Sequence, residues 1–261
     1  MKRHSGASGL SIKDSLDTVI RSLKGPTTED EIIDQVAFLK GKSFPRKSVV
    51  QQLQEKVAES IVYLDERTVA PLGALLPGTR FRINIFGAPE GIVLPMALSP
   101  FSLSFKPQKI FFEDPTGVFI SFGLMKKNKR WKDQEDLLEI LWDRESYAFD
   151  LKEWFSKNGI RSEDSVLVTV LECETRMVFR LEHEPFEKRR EEEISRKNQE
   201  LLQGVQRFME ETREESVLVR EAVLTAYLRL RDPKGYPGDN WVFLLAEDER
   251  MTCDGFFIEM S

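Results

Sequence analysis

The chain has 261 residues, with 38 Lys+Arg against 44 Asp+Glu and a formal net charge of -6. Its 41 % hydrophobic content suits a folded domain rather than a disordered tail, and no apolar run is long enough to cross a bilayer, so no membrane contact is expected. The opening MKRHSGASGL has no apolar centre and is not read as a secretory signal, while Cys173 and Cys253 lie far apart outside any CxxC, which indicates neither a disulfide framework nor a zinc site and points to a cytoplasmic location.

Charge is unevenly spread. From Glu184 onward the chain carries 12 Lys+Arg against 18 Asp+Glu, which leaves 26 of each in the residues before it. The acidic balance therefore belongs to the last third, and the neutral first two thirds are free to meet a polyanion.

Residues 1–9 read as a disordered tail. Ile12, Leu16, Val19, Ile20 and Leu23 then recur at helical spacing, with Ser11 as cap and Gly25-Pro26 as stop. TTEDEIIDQVAFLKG opens a second helix on a Thr28/Glu31 capping box. SFPRKSVVQQLQEKVAES predicts a third, with Pro45 in its first turn. IVYLDERTVAPL alternates around a charged turn and predicts a short hairpin. From residue 80 the period changes to two. RFRINIFG, FSLSFKP, KIFFED, GVFISFGLM and DSVLVTVLECETRMVFRLE predict strands, with one helix at LKEWFSKNGI. Beyond Pro185 a long charged helix, a second helix from Ser216 and a hairpin over WVFLLAEDERMTCDGFFIEM are expected.

Residues 10–76 resemble a winged helix of the HARE type. The VIRSLKGPTTEDEIIDQV helix-turn-helix, the GKSFPRKSVVQQL approach to the third helix and IVYLDERTVAPL as wing carry the likeness. That resemblance implies a fold shared by DNA-binding and protein-binding modules. Residues 140–182 are similar in order to the second half of the plant-type DNA-binding pseudobarrel. YAFDLKEWFSKNGIRSEDSVLVTV follows its layout, with Glu163-Asp164 where that family has Gly-Asp.

Two sets of side chains suit nucleic acid. On the third helix, Val49, Val50, Leu53 and Val57 share an inward arc, which turns Lys47, Ser48, Gln51 and Gln52 outward, with Arg46 at the helix start and Glu55 beside them. In the run FGLMKKNKRWKDQED, Lys126, Lys127, Lys129, Arg130 and Lys132 fall within seven residues around Trp131. Clustered cations release phosphate counterions and a tryptophan can stack on a base, although the same run also suits a solvated loop. Hydrolytic chemistry has less to stand on. His4 lies in the tail and His183 is expected to be exposed between two glutamates, so no triad is indicated. EDPTG at 113–117 with Lys126, and DLK at 150–152, are loose echoes of a metal-dependent nuclease. No Gly-rich phosphate loop is present, and no cofactor or metal is implied.

The expected molecule is α+β and non-enzymatic. It comprises a winged helix over 10–78, a β-rich barrel-like domain over 79–184, and a charged linking helix with a small C-terminal α/β unit over 185–261. Double-stranded DNA is the expected partner, for a regulator or accessory factor. A protein partner or self-association through residues 186–230 is also expected. The alternatives are a protein-interaction scaffold that binds no nucleic acid and, behind it, a metal-dependent nuclease.

Overall fold

The computed structural model describes residues 10–41, 44–57, 59–85, 91–93, 95–98, 100–101, 105–126, 147–254 and 257–261. The chain divides into two compact units, Met1–Leu75 and Leu76–Ser261.

In the first unit, α1 (Ile12–Ser22) starts where the Ser11 side chain accepts from the Asp14 amide at 3.0 Å. Strand β1 (Thr27–Thr28) runs straight into α2 (Glu29–Lys40) through a complete capping box. Thr28 Oγ1 accepts from the Glu31 amide at 3.2 Å, and Glu31 Oε2 accepts from the Thr28 amide at 2.9 Å. Gly41, at φ 62°, closes α2 in the left-handed conformation that glycine adopts without strain. Helix α3 (Arg46–Gln54) ends earlier than its sequence pattern suggests. The chain turns at Glu55 so that Val57 can bridge Ile61, and this sheet contact overrides the continuing helical pattern. Strands β2 (Ile61–Tyr63) and β3 (Thr68–Pro71) form the expected hairpin, and the sheet order is β1-β3-β2, all antiparallel. Leu16, Ile32, Val36, Val49, Leu53, Ile61 and Val69 are buried together as one core. A short α4 (Leu72–Leu75) follows.

The second unit opens with β4 (Arg80–Asn84), β5 (Ile92–Val93), α5 (Pro95–Leu98), β6 (Ile110–Glu113), β7 (Gly123–Lys126), β8 (Tyr147–Asp150), α6 (Lys152–Asn158), β9 (Ser165–Cys173) and β10 (Met177–Glu184). These strands form two sheets, β4-β9-β10-β6 and β5-β8-β7, and no closed barrel among the described residues. Strand β6 lies parallel to β10 at the sheet edge. A parallel edge strand does not continue the antiparallel meander that closes a small barrel. Phe112 from the first sheet meets Phe149 from the second edge-to-face at 5.2 Å and stacks on Phe179 at 6.1 Å, so aromatic rings fill the space between. GVFISFGLM is not one strand. Val118 and Ile120 turn back on β6, with the Ile120 amide donating to Phe112 O at 2.8 Å, and only Gly123–Lys126 enters β7.

The unit continues with α7 (Glu191–Thr212), β11 (Ser216–Leu218), α8 (Val219–Arg229), α9 (Trp241–Glu247), β12 (Met251–Cys253) and β13 (Phe257–Met260). A Cβ on Gly204 would stand 3.1 Å from the Ala226 Cβ, so α7 and α8 cross closely through small residues. The terminal segment differs from its expected hairpin, because WVFLLAE is a helix. Its apolar, β-prone composition suits a strand, but the Asn240 side chain accepts from the Val242 amide and starts a helical turn. The hairpin is confined to β12 and β13, and β13 also pairs with β11 in a sheet of order β11-β13-β12.

Candidate nucleic-acid interface

Helix α3 is held down by Val49 and Leu53, both fully buried. Lys47 and Gln51 are exposed on its outer side, and Ser48 is half-buried with its amide donating to Pro45 O at 2.9 Å. Lys47 makes no ion pair among the described residues. Gln52 does not join this outward set, because its Oε1 is buried without a hydrogen-bond partner among the described residues. Arg46 is exposed but already paired with Asp30 at the start of α2. Lys56 is likewise engaged, 2.7 Å from Asp17. Among the described residues the face therefore offers one cation without an ion pair, Lys47, and two exposed amides, Gln51 and Gln54, flanked by carboxylates.

The hairpin turn beside it is ordered by Asp65, whose Oδ1 accepts from the Arg67 amide at 2.9 Å and the Thr68 amide at 2.8 Å. Arg67 is exposed on this turn. The Glu29 amide donates to Arg67 O at 3.0 Å, which ties the turn to the start of α2. The Thr27 hydroxyl, followed by the Thr28 amide and hydroxyl, holds the Glu31 carboxyl below its ordinary range, so it stays ionised. Tyr63 donates to Glu29, and burial followed by this contact raises its phenol.

Of the cationic run, the backbone of Lys126 ends β7, which among the described residues pairs with β8 and lies at the sheet edge. Lys127, Lys129, Arg130, Trp131 and Lys132 lie outside the described residues. The structure thus brings Arg46, Lys47, Ser48 and Gln51 onto one helix, and leaves the second predicted set without a described geometry.

The carboxylates of the nuclease alternative each hold a turn. Asp114 Oδ1 accepts from the Thr116 amide at 2.9 Å, the Thr116 hydroxyl at 2.6 Å and the Val118 amide at 3.1 Å. Asp150 Oδ1 accepts from the Lys152 amide at 3.1 Å. Among the described residues, no group of three or more His, Cys, Asp or Glu is placed to hold a metal. His183 is half-buried rather than exposed, with its Nε2 2.9 Å from Asp164 Oδ2. Asp164 also accepts from the amides of Arg161 at 2.9 Å and Phe186 at 3.0 Å. Burial pushes its carboxyl up, but those two amides and His183 outweigh it and the net shift is downward.

The densest polar cluster was not foreseen. Arg82, 2 % exposed, forks onto Glu184 with Nε to Oε2 at 2.8 Å and Nη2 to Oε1 at 3.0 Å. Ser165 donates to the same Glu184 Oε2 at 2.8 Å. Asp239 accepts from Asn84 at 2.9 Å, Asn198 at 2.8 Å and Arg189 at 3.3 Å. Gly238 must be glycine, because a Cβ there would stand 2.4 Å from Tyr236 Oη and 2.6 Å from Asn198 Oδ1. One sequence signal existed. In RFRIN, Arg80, Arg82 and Asn84 share one strand face, and such a polar face needs partners wherever it is covered. These charge pairs and hydrogen bonds join β4 and β10 to α7 and the chain before α9, while the buried Arg82 Nη1 has no hydrogen-bond partner among the described residues and stands 3.7 Å from Asp239 Oδ1.

No family model matches the chain, and neither the curated proteins nor the solved structures give a match.

Proposed function

We propose that this protein binds double-stranded DNA as a regulator or accessory factor, with its first unit acting as a winged helix. The observation that carries the reading is the order α1-β1-α2-α3-β2-β3 with β3 central in the sheet. It leaves one side of α3 outside the core, with Lys47 and Gln51 exposed there while Val49 and Leu53 anchor it. Helix-turn-helix readers set this helix in the major groove, where Lys serves phosphate or guanine and Gln serves adenine. Arg67 on the hairpin turn adds a cation at the wing position. The Lys126–Lys132 run continues from an edge strand and supplies further phosphate contacts.

A retardation assay across salt, on duplex DNA and on RNA, tests this. Binding should weaken linearly in log salt. Changing Lys126, Lys127, Lys129 and Arg130 together to Ser should lower the slope by about three to four counterions. Lys47→Ser should lower it by about one. An unchanged slope in both variants removes these residues from the interface.

A protein-interaction scaffold is favoured by a different observation. Phe38 on α2 is 86 % exposed with Leu39 beside it, and Arg46 is spent on Asp30. Absence of duplex binding by the wild-type chain at low salt decides for that reading.

A further inference from the structure

The last 71 residues repeat the plan of the first unit. There, a helix, a short strand running directly into a second helix, a third helix and two strands are laid out as α1-β1-α2-α3-β2-β3. From Glu191 the same series returns as α7-β11-α8-α9-β12-β13. The sheets agree as well. The last strand is central in each, antiparallel to both neighbours, in the orders β1-β3-β2 and β11-β13-β12. In each, the first helix packs against the second and the third. The buried positions keep step: Ile32 and Val36 lie at the same offsets from the start of α2 as Ala222 and Ala226 from the start of α8. We infer that residues 191–261 are a second module of this kind, and that its third helix, α9, is a docking surface for the middle β-domain of the same chain instead of a reader of nucleic acid.

Three observations fix that role. In α3 only Val49 and Leu53 are buried, whereas in α9 Trp241, Val242, Leu244 and Leu245 all are and Phe243 is half-buried. No face of the first five residues of α9 is left open. Its start is held on the middle domain, with Asn240 Nδ2 donating to Arg82 O and to Ala97 O, both at 3.1 Å. The charge differs accordingly. Residues 12–71 carry 9 Lys+Arg and 10 Asp+Glu, while residues 191–261 carry 9 and 16. A module that never meets phosphate tolerates that acidic excess.

The exclusion of nucleic acid from α9 rests on the reading of α3 given above, whereas the docking of α9 does not. Hydrogen exchange on the full chain, with and without a generic 20-base-pair duplex at low salt, separates the two. Without DNA, the α9 amides should exchange as slowly as those of β4 and more slowly than those of α3. Duplex DNA should slow α3 and leave α9 unchanged. Asn240→Ser keeps the cap acceptor and removes the donor to Arg82 O and Ala97 O. It should speed exchange in α9 and β4 together and leave α3 alone. Exchange of α9 as fast as α3 in the wild type, or DNA protection at α9, overturns the inference. Protection by DNA at neither helix fells the reading of α3, while slow exchange of α9 coupled to β4 still upholds its docking.

Discussion

Two arginines show how differently the two units use charge. Arg46, at the start of α3, pairs with Asp30 while both side chains stay more than half exposed. Arg82, on β4, pairs with Glu184 at 2 % and 14 % side-chain exposure. Water solvates the first pair whether or not it forms, so the contact is weak and exchangeable for another anion. The second has given up its hydration, so removing Glu184 leaves a stranded charge whose remaining carboxylate, Asp239, stands 3.7 Å away without a hydrogen bond to it. One unit leaves its cation in an exchangeable pair, and the other commits its cation to holding separate pieces together.

The largest expected effect follows from the stranded charge. Glu184→Ala should lower the stability of the second unit by about 3–5 kcal/mol, read from the midpoint and slope of denaturant unfolding. Replacing both partners, as Arg82→Met with Glu184→Leu, should regain most of the loss, since an apolar pair of similar volume avoids the desolvation cost. A single variant within about 1 kcal/mol of wild type would erase the contrast between the two arginines.

The next effect lies at Asp164, which holds the chain on both sides of β9 and β10 through the amides of Arg161 and Phe186. Asp164→Asn weakens the acceptor of two part-buried amide bonds and should cost about 1 kcal/mol. Its pH dependence has a defined sign. The folded carboxyl sits below its unfolded value of about 3.9, so its contribution is complete above that pH and fades as pH falls through the lower folded value. The wild type should therefore lose this increment only below about pH 4, and the Asn variant should show a shallower acid limb. Parallel acid limbs for the two proteins would remove Asp164 from the acid response.

What the sequence made legible follows the same division between local and distant chemistry. The caps at Ser11 and Thr28/Glu31 and the end of α2 at Gly41 were readable, because each depends on residues at most four apart. The hairpins β2–β3 and β9–β10 were readable from alternation around a turn. The end of α3 was not, since it is set by the Val57–Ile61 bridge and not by propensity. Trp241–Glu247 misled through composition, although Asn240 ahead of an apolar run was a start signal in plain view. The polar cluster was out of reach because its partners are distant: Arg82 and Glu184 are 102 residues apart, and Arg82 and Asn240 are 158 apart. On α3 the outward positions of Lys47 and Gln51 followed from helical spacing, whereas the pairing of Arg46 with Asp30 and the inward turn of Gln52 depended on neighbours that spacing does not reveal.

Within the first unit, Thr28→Ala should cost about 1 kcal/mol, since it removes the acceptor for the Glu31 amide and one side of the capping box. Thermal unfolding of the full chain, followed by a probe in the first unit, reads it. Thr28→Ser should restore most of it by keeping the hydroxyl, and failure of that rescue would assign the loss to the missing methyl group.

The smallest effect on stability is the one most informative about binding. Asp30→Asn should change stability by less than about 1 kcal/mol, because the Arg46–Asp30 pair is exposed on both sides. The same change frees Arg46 next to Lys47, at the helix face proposed to meet DNA. Duplex affinity should then rise, and the salt slope should steepen by about one counterion, since Arg46 no longer has to leave a carboxylate to reach a phosphate. Arg46→Ala made in the same background should return the slope to its wild-type value. If Asp30→Asn leaves both affinity and slope unchanged, Arg46 stands outside the interface and the contact surface narrows to Lys47, Gln51 and the turn carrying Arg67.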